Sequence, residues 1–237
     1  MKIISIIPAR GNSKSIPLKN LSKLNNKPLI YYSIKQSLKC QLIQRTIVST
    51  DNKLIAKIAK KYGAEVPFLR PEKISEDHSK DLGFFRHLIR WLKDNENYKP
   101  DLVVQLRPTN PFRSQKSILE SIKLMVKNPK ADCLRTISIP ERSPYKMWVK
   151  KGKYIKHFMK KNNKQYFNSD RRKLPKIYWH DGVIDIVRYK TIEKYNDLIG
   201  KKILYLENKS PYLIDIDCKK DLKIANLLVK NKEIKLL

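Results

Sequence analysis

The sequence predicts an α/β fold: a Rossmann-like, mostly parallel nucleotide-binding sheet with helices on both faces. Short apolar runs alternate with amphipathic helical patterns from residue 3 to residue 138, which is typical of parallel strands joined by helices. Loops with basic and turn-forming residues follow the strands, where ligands bind in such sheets. The length of 237 residues suits one domain with a full core and an inserted arm.

The elements can be assigned in chain order. The predicted strands comprise residues 3–7, 45–50, 65–69, 101–106, 131–138, 182–187, 203–206 and 213–217. The predicted helices comprise residues 28–39, 52–62, 79–94, 117–127 and 219–230. The first strand is a β-branched run that ends at Pro8, and such a run indicates a buried strand. Pro28 suits the first turn of a helix, and Gly63 suits the position just after one.

Residues 139–177 interrupt this alternation. The segment contains three prolines and a cluster of aromatic residues, and Gly152 lies in a predicted hairpin turn at residues 150–153. An irregular aromatic-rich arm is often an interface, although a loop packed on its own domain is an equal alternative. We therefore expect residues 1–237 to form a single domain with this arm inserted.

The formal net charge of +30 allows two interpretations. A basic surface is typical of nucleic-acid binders, whereas a Lys-rich composition can overlie an ordinary enzyme. The lysines are dispersed along the whole chain and no nucleic-acid motif is present. These observations favour the second interpretation, and we expect no nucleic-acid partner.

Other classes are disfavoured by composition. No apolar run approaches the roughly 20 residues of a membrane span, and the N-terminus enters a strand without a signal-peptide cleavage site. We therefore expect a cytoplasmic protein without membrane insertion. The three cysteines are far apart and the four histidines lack metal-ligand spacing, which disfavours a zinc site or a disulfide framework.

The loop after the first strand combines turn formers with cations. The turn formers are Pro8, Gly11, Asn12 and Pro17, and the cations are Arg10, Lys14 and Lys19. Small residues let backbone N–H groups approach an anion, and fixed cations neutralise it, so the loop suits a polyphosphate. It is neither a Walker A loop nor a Gly-x-Gly-x-x-Gly loop. The alternative is a solvated loop in a Lys-rich protein.

A second group of candidate residues is Asp215-Ile216-Asp217. Residues two apart in a strand share a face, so both carboxylates would project together. Such a pair suits Mg²⁺, which takes few carboxylates alongside substrate phosphates. The alternative is a surface strand that buries Ile214 and Ile216.

Several motifs together resemble the acylneuraminate cytidylyltransferases, the family of CMP-sialic acid synthetases. Residues 8–20 match the nucleotide loop of that family as Pro-Ala-Arg-Gly-x-Ser-Lys-x-Ile-Pro-x-Lys-Asn. Further matches occur in order at residues 49–51, 68–71, 108–113, 171–175, 181–184 and 214–217. The resemblance covers residue 3 to about residue 226, and its collinearity makes it more specific than any one motif.

The resemblance implies an activity and a homodimer in which the arm reaches the partner. The reaction is transfer of CMP from CTP to the anomeric hydroxyl of a sialic-acid-like nonulosonic acid, with release of pyrophosphate, for surface glycan biosynthesis. The residues implied in catalysis are Arg10, Lys14 and Lys19. Those implied in nucleotide binding are Ala9, Arg10, Gly11, Asn12, Ser13, Asn20 and Arg70. Those implied in substrate binding are Arg107, Thr109, Asn110, Arg171, Asp181 and Asp185. Asp215 and Asp217 would hold Mg²⁺.

The chain departs from the family at informative positions. Ser15 replaces a usual Gly and would strain the loop if that position requires a positive φ. Arg107 replaces a usual Gln, and Asp185 replaces a usual Tyr. Arg107 could bind a substrate carboxylate or pair with Asp185. Because these last changes fall on the expected sugar side, we expect retained CTP chemistry and an altered acceptor, such as a legionaminic-type sugar rather than N-acetylneuraminate. The alternatives are a CMP-Kdo-type synthetase and a basic RNA-binding protein on the same fold.

Overall fold

The computed structural model describes residues 1–76, 78–159, 166–210, 212–234 and 236. The chain divides into two compact units. The first comprises Met1–Thr136 with Gly182–Leu237, and the second comprises Ile137–Asp181. None of the helices in the described ranges is long and apolar enough to cross a membrane.

A six-stranded sheet organises the fold. The strands of the chain are β1 (Ile3–Pro8), β2 (Lys23–Leu24), β3 (Lys27–Pro28), β4 (Arg45–Ser49), β5 (Leu102–Gln105), β6 (Cys133–Ser138), β7 (Trp148–Lys151), β8 (Tyr154–His157), β9 (Trp179–Arg188) and β10 (Ile203–Glu207). The order in the large sheet is β10-β6-β9-β5-β1-β4, while β2 pairs with β3 and β7 pairs with β8. Strand β1 is parallel to β4 and β5, and β9 is antiparallel to β5. The predicted mostly parallel sheet is confirmed.

Helices cover both faces of this sheet. They are α1 (Leu29–Leu38), α2 (Lys53–Lys61), α3 (Asp81–Glu96), α4 (Gln115–Lys127), α5 (Tyr189–Tyr195) and α6 (Lys219–Lys230). Ile7 packs in one core with residues of α1, α2 and α4, whereas Ile4 and Ile6 pack in another with residues of α3. Ile4, Ile6 and Ile7 are 0% exposed, and burying each stabilises the fold by about 1.5–3 kcal/mol. Burial on both sides explains why this strand is a continuous apolar run.

Local signals set the helix ends. The Asn52 side chain accepts hydrogen bonds from the Leu54 and Ile55 N–H groups at 2.9 and 3.1 Å and so caps α2. Gly63 follows that helix with φ of 98°, a conformation that strains residues with a side chain. The Ser114 hydroxyl accepts a bond from the Ser117 N–H at 3.0 Å and begins α4. Capping therefore fixes the starts of α2 and α4, which lie close to their predicted positions.

Two predicted strands are wrong. Residues 65–69 form only a single parallel bridge between Ile47 and Glu65. Pro67 has no N–H to donate, and pairing with the segment after β4 resumes only at the Arg70 N–H, which lies 2.7 Å from the Thr50 oxygen. Residues 213–217 are not a strand either, because the Ile216 N–H bonds to a loop carbonyl rather than to a neighbouring strand.

The second unit contains an exposed aromatic hairpin. Gly152 forms the turn between β7 and β8 with φ of 59°, which confirms the predicted turn. The exposed fractions of Tyr154, Ile155 and Phe158 are 66%, 57% and 57%, and Trp148 contacts the ring of Phe167 with centroids 5.6 Å apart. The unit thus exposes several large apolar side chains.

Candidate active site

A cleft of about 300 Å³ lies beyond the carboxyl ends of β1, β4 and β5. Its lining consists of Pro8, Arg10, Ser13, Lys19, Asn20, Arg70, Ile74, Glu76, Ser79, Asp81, Phe84, Arg107, Pro108 and Thr109. Four of these residues are cations: Arg10 and Lys19 follow β1, Arg107 follows β5, and Arg70 follows the segment that bridges to β4 at Glu65. The cleft is therefore a positively charged site at the edge where ligands bind in open α/β sheets.

The β1 loop is held in shape by β4 and by the segment after it. The Ala9 N–H donates to the Ser49 oxygen at 3.0 Å, and the Gly11 N–H donates to Asp51 Oδ1 at 2.8 Å. A Cβ on Gly11 would lie 2.9 Å from Asn52 atoms, so the close approach requires glycine. Asn12 and Lys14 are exposed on the same loop. The expected strain at Ser15 is absent, because the left-handed residue is Leu18, with φ of 50°.

Two further predicted residues are buried beside the loop. Asn20 is 6% exposed and donates from Nδ2 to the Arg10 oxygen at 2.9 Å. Arg70 is also 6% exposed, donates from Nε to Ser49 Oγ at 3.0 Å and lies 4.8 Å from the Phe84 ring centroid. Burial lowers the pKa of Arg70 to about 10, so the guanidinium remains charged at neutral pH. Both side chains are fixed before any nucleotide contact.

Arg107 is the centre of an ion-pair network. Its Nη1 lies 2.6 Å from Asp185 Oδ2, and its Nη2 lies 2.9 Å from Asp81 Oδ2. Arg135 contacts the same Asp185 oxygen at 2.9 Å. Burial opposes the charge of Arg107, but the two carboxylates hold its pKa above the ordinary value. Of the two roles open to Arg107 from sequence, the structure has the pairing with Asp185.

Asp185 is almost inaccessible. Its side chain is 4% exposed, and it does not belong to the lining of the cleft. The residue acts on the cleft through Arg107, which does line it. The prediction that Asp185 faces the sugar is therefore wrong. Asp185 lies behind Arg107 and has no surface in the cleft.

The loop after β5 separates the cleft from a second cavity. Thr109 lines the cleft, while Asn110 lines the second cavity, whose volume is about 500 Å³. Arg113 is 6% exposed and donates to the Arg107 oxygen at 2.6 Å, to Ser33 Oγ at 2.9 Å and to the Val183 oxygen at 3.0 Å. This buried arginine fixes the conformation of the loop.

The acidic pair lies against the basic loop. Lys19 Nζ is 2.8 Å from Asp217 Oδ1, and the Ser15 hydroxyl donates to the Asp217 oxygen at 2.5 Å. Desolvation raises the pKa of Asp215, the charge of Asp217 adds to this, and a hydrogen bond with Thr109 opposes it. The Ile216 N–H donates to the Thr109 oxygen at 2.9 Å, which brings this segment to the cleft.

The donor set can be compared with the needs of Mg²⁺. Within the described ranges, no group of three or more His, Cys, Asp or Glu residues could hold a metal ion. Mg²⁺ does not need such a group, because it retains waters and takes one or two carboxylates with phosphate oxygens. Asp215 and Asp217 fit that requirement, because they lie next to the cationic β1 loop.

Asp181 and Arg171 belong to the second unit. Asp181 is 4% exposed and accepts a hydrogen bond from Ser138 Oγ at 2.5 Å. Arg171 begins a short 3₁₀ turn, Arg171–Lys173, and its side chain lies outside the described part of the chain. Their predicted substrate contacts stay predictions.

Sequence reasoning missed Asp81 and Arg135. Asp81 lies in the first turn of α3 and accepts a bond from Gln105 Nε2 at 3.0 Å. Arg135 lies mid-strand in β6, where an apolar residue would be ordinary. The cation within a buried strand was the available signal, since such a residue needs a carboxylate partner.

Comparison with known proteins identifies the family. The family model described as "Cytidylyltransferase" matches residues 4–203. The chain belongs to the cytidylyltransferase family. It is similar to "Post-translational flagellin modification protein B" of Campylobacter coli, with 31% identity over 98% of this chain and 97% of the relative. It is similar also to "CMP-N,N'-diacetyllegionaminic acid synthase" of Legionella pneumophila, with 30% identity over 97% of each chain.

A solved structure shares the fold of this cytidylyltransferase. It is the structure of "CMP:2-keto-3-deoxy-manno-octonic acid synthetase complexed with CTP", with a TM-score of 0.69 and 15% identity over 98% of this chain and 100% of that chain. At 15% sequence identity, this similarity shows a shared fold only. It confirms the predicted nucleotidyltransferase-type architecture.

Proposed function

We propose that this cytidylyltransferase transfers CMP from CTP to the anomeric hydroxyl of a nonulosonic acid and releases pyrophosphate. The proposal rests chiefly on one observation: Arg10, Lys19 and Arg70 line a single cleft at the end of β1. Nucleotidyl transfer depends mainly on positioning and charge neutralisation. A cleft with converging cations from fixed loops supplies both.

The nucleotide would extend along the β1 loop. Arg10, Lys14 and Lys19 would bind the triphosphate, and Asn20 and Arg70 would bind the cytidine. The loop backbone is drawn against β4 and the segment after it by the bonds of Ala9 and Gly11. This arrangement would leave room for phosphate oxygens beside Ala9, Gly11, Asn12 and Ser13. The acceptor hydroxyl would attack the α-phosphorus and lose its proton to solvent, the bond from the α-phosphorus to the oxygen that bridges to the β-phosphorus would break, and Arg10 and Lys19 would hold the departing pyrophosphate.

Asp215 and Asp217 would hold Mg²⁺ beside this path. A bound divalent cation neutralises phosphate charge and lowers the pKa of a coordinated hydroxyl. Asp215 is hydrogen-bonded to Thr109 and Asp217 is paired with Lys19, and both of these partners line the cleft.

The acceptor is proposed to be a legionaminic-type sugar. The name of the Legionella pneumophila relative supports this choice. Arg107, Thr109 and Asn110 would contact the sugar, with Asp185 acting through Arg107. The substrate contacts that the resemblance implies for Arg171 and Asp181 stay predictions.

The assembly is proposed to be a cytoplasmic homodimer. The exposed Tyr154, Ile155 and Phe158 of the aromatic hairpin support an interface. Light scattering of the purified protein tests this, with Ile155→Lys as the disrupting variant and Lys153→Ala as the control. A monomeric wild-type protein at micromolar concentration would reject the dimer. Cell fractionation tests the compartment.

Pyrophosphate release tests the activity. The protein is incubated with CTP, Mg²⁺ and N,N'-diacetyllegionaminic acid, N-acetylneuraminic acid or Kdo. We expect the highest kcat/KM with the legionaminic sugar, a loss of roughly 10²-fold in Arg10→Ala, and no change in Lys23→Ala. Best turnover with Kdo would indicate a CMP-Kdo-type synthetase. No release with any sugar, together with salt-sensitive RNA binding, would indicate the RNA-binding alternative.

A further inference from the structure

Lys19 is placed to serve two different partners. Its side chain is 15% exposed and lines the cleft, yet its ammonium lies 2.8 Å from Asp217 Oδ1 at the edge of the acidic pair. Lys carries a compact charge on a flexible four-carbon stem. A small rotation of the stem can therefore exchange one anionic partner for another without movement of the backbone.

The backbone at Asp217 is anchored independently of this ion pair. The Asp217 oxygen accepts the Ser15 hydroxyl at 2.5 Å, and the Asp217 N–H donates to Asp221 Oδ2 at 2.9 Å. The Ser15 link cannot form with glycine, the residue usual at this position in the resembled family. If the ion pair opens, the loop and the acidic segment still remain joined.

We propose that Lys19 is a counter-ion exchanged on substrate binding, which rests on the proposed function. Before nucleotide binds, its ammonium neutralises Asp217. When Asp217 takes a divalent cation, its carboxylate no longer needs Lys19, and the ammonium turns to the phosphates of the nucleotide. Only two side-chain ends rearrange, while Ser15 and Asp221 hold the segment in place.

The exchange gives Lys19 opposite effects on the binding of metal and on the binding of nucleotide. Without nucleotide, Lys19 competes with the metal for Asp217 and weakens metal binding. With nucleotide, the released ammonium contacts phosphate and strengthens nucleotide binding. Because binding couplings are reciprocal, metal and nucleotide favour one another through Lys19. A lysine that acted only on phosphate would strengthen nucleotide binding without weakening metal binding.

The test is a titration of Mn²⁺ alone, followed by electron paramagnetic resonance, with no nucleotide or sugar present. We expect Lys19→Met to bind Mn²⁺ about 2- to 5-fold more tightly than wild type, as loss of a partly exposed ion pair implies. Lys19→Gln should behave in the same way if Lys19→Met folds poorly. Lys23→Met is the matched control, since it removes one exposed lysine near α6, and it should keep the wild-type affinity. A separate titration of CTP in the presence of Mg²⁺ should show weaker binding to Lys19→Met than to wild type, because the exchange then frees the ammonium for phosphate.

The outcomes separate the exchange from the enzymatic activity. Unchanged or weakened Mn²⁺ binding in both Lys19 variants overturns the exchange, even in an active enzyme. Equal tightening in Lys23→Met also overturns it, because net charge would then be the cause. Tightening specific to Lys19 supports it even if no tested sugar is turned over.

Discussion

The buried carboxylate of Asp185 offers a severe test of the network around Arg107. Asp185→Asn keeps the size of the side chain and removes its charge. Arg135 would then lose its anionic partner, and Arg107 would keep only Asp81. The surrounding strands would still bury both guanidinium groups, whose side chains are 24% and 15% exposed for Arg107 and Arg135.

The magnitude follows from burial and distance. Removing one member of a buried pair typically costs about 3–5 kcal/mol. Asp185 lies at 2.6 and 2.9 Å from its two partners, but Arg107 retains Asp81, so we expect about 3 kcal/mol. In a chain of this size, that loss lowers Tm by roughly 6–12 °C. Asp81→Asn is the matched control: its side chain is 40% exposed, and about 1 kcal/mol or less should be lost.

Thermal and urea unfolding at pH 7 measure both variants. Each substitution removes one carboxylate from Arg107, so the difference between them reports the burial of Asp185 together with its second partner, Arg135. An Asp185→Asn protein with the Tm of wild type, or with a smaller loss than Asp81→Asn, would refute the view that Asp185 is the anchor of this network.

Four further outcomes are expected. Asp217→Asn should fold normally yet lose most turnover and alter the Mg²⁺ dependence, and unaltered Mg²⁺ kinetics would count against a metal role. Arg10→Ala should raise the CTP dissociation constant at least tenfold by calorimetry, whereas equal affinity would reject the loop contact. Arg107→Gln should change the ranking of acceptors while KM for CTP stays within a few-fold, and uniform weakening would contradict a sugar-side role. Burial lowers the pKa of His87 below 6.5, so the unfolded chain binds more protons and urea stability should fall as pH drops from 7.5 through 6.5; His87→Gln should flatten this dependence.

Sequence patterns predicted the sheet best where a residue's neighbours along the chain decide its structure. The β1 run and the start of α2 depend on local apolar pattern and local hydrogen bonds, and both lie close to their predicted places. The segment after β4 failed because Pro67 interrupts a pairing that apolar content alone suggested. The predicted strand around Ile216 failed because the Ile216 N–H bonds to the carbonyl of Thr109, a loop residue, rather than to a neighbouring strand.

The same distinction between local and long-range determinants applies to the candidate site. The β1 loop could be predicted because Arg10 and Lys19 lie on one short segment. The role of Arg107 could be narrowed to two alternatives, but sequence could not decide between them. That decision depends on Asp81 and Asp185, which approach Arg107 from a helix and from an antiparallel strand. Long-range pairing of this kind leaves no spacing pattern in the chain.

The link between the β1 loop and the acidic segment also determines when, during synthesis of the chain, this part of the site can form. Lys19 and Ser15 bond to a residue 198 and 202 positions further along the chain. At synthesis rates of about 5–20 residues per second, roughly 10–40 s separate the emergence of the two halves from the ribosome. The central strands can pair during that interval, while the basic loop still lacks its acidic partner. The nascent chain can therefore pair β1, β4, β5, β6 and β9 before the β1 loop meets its acidic partner.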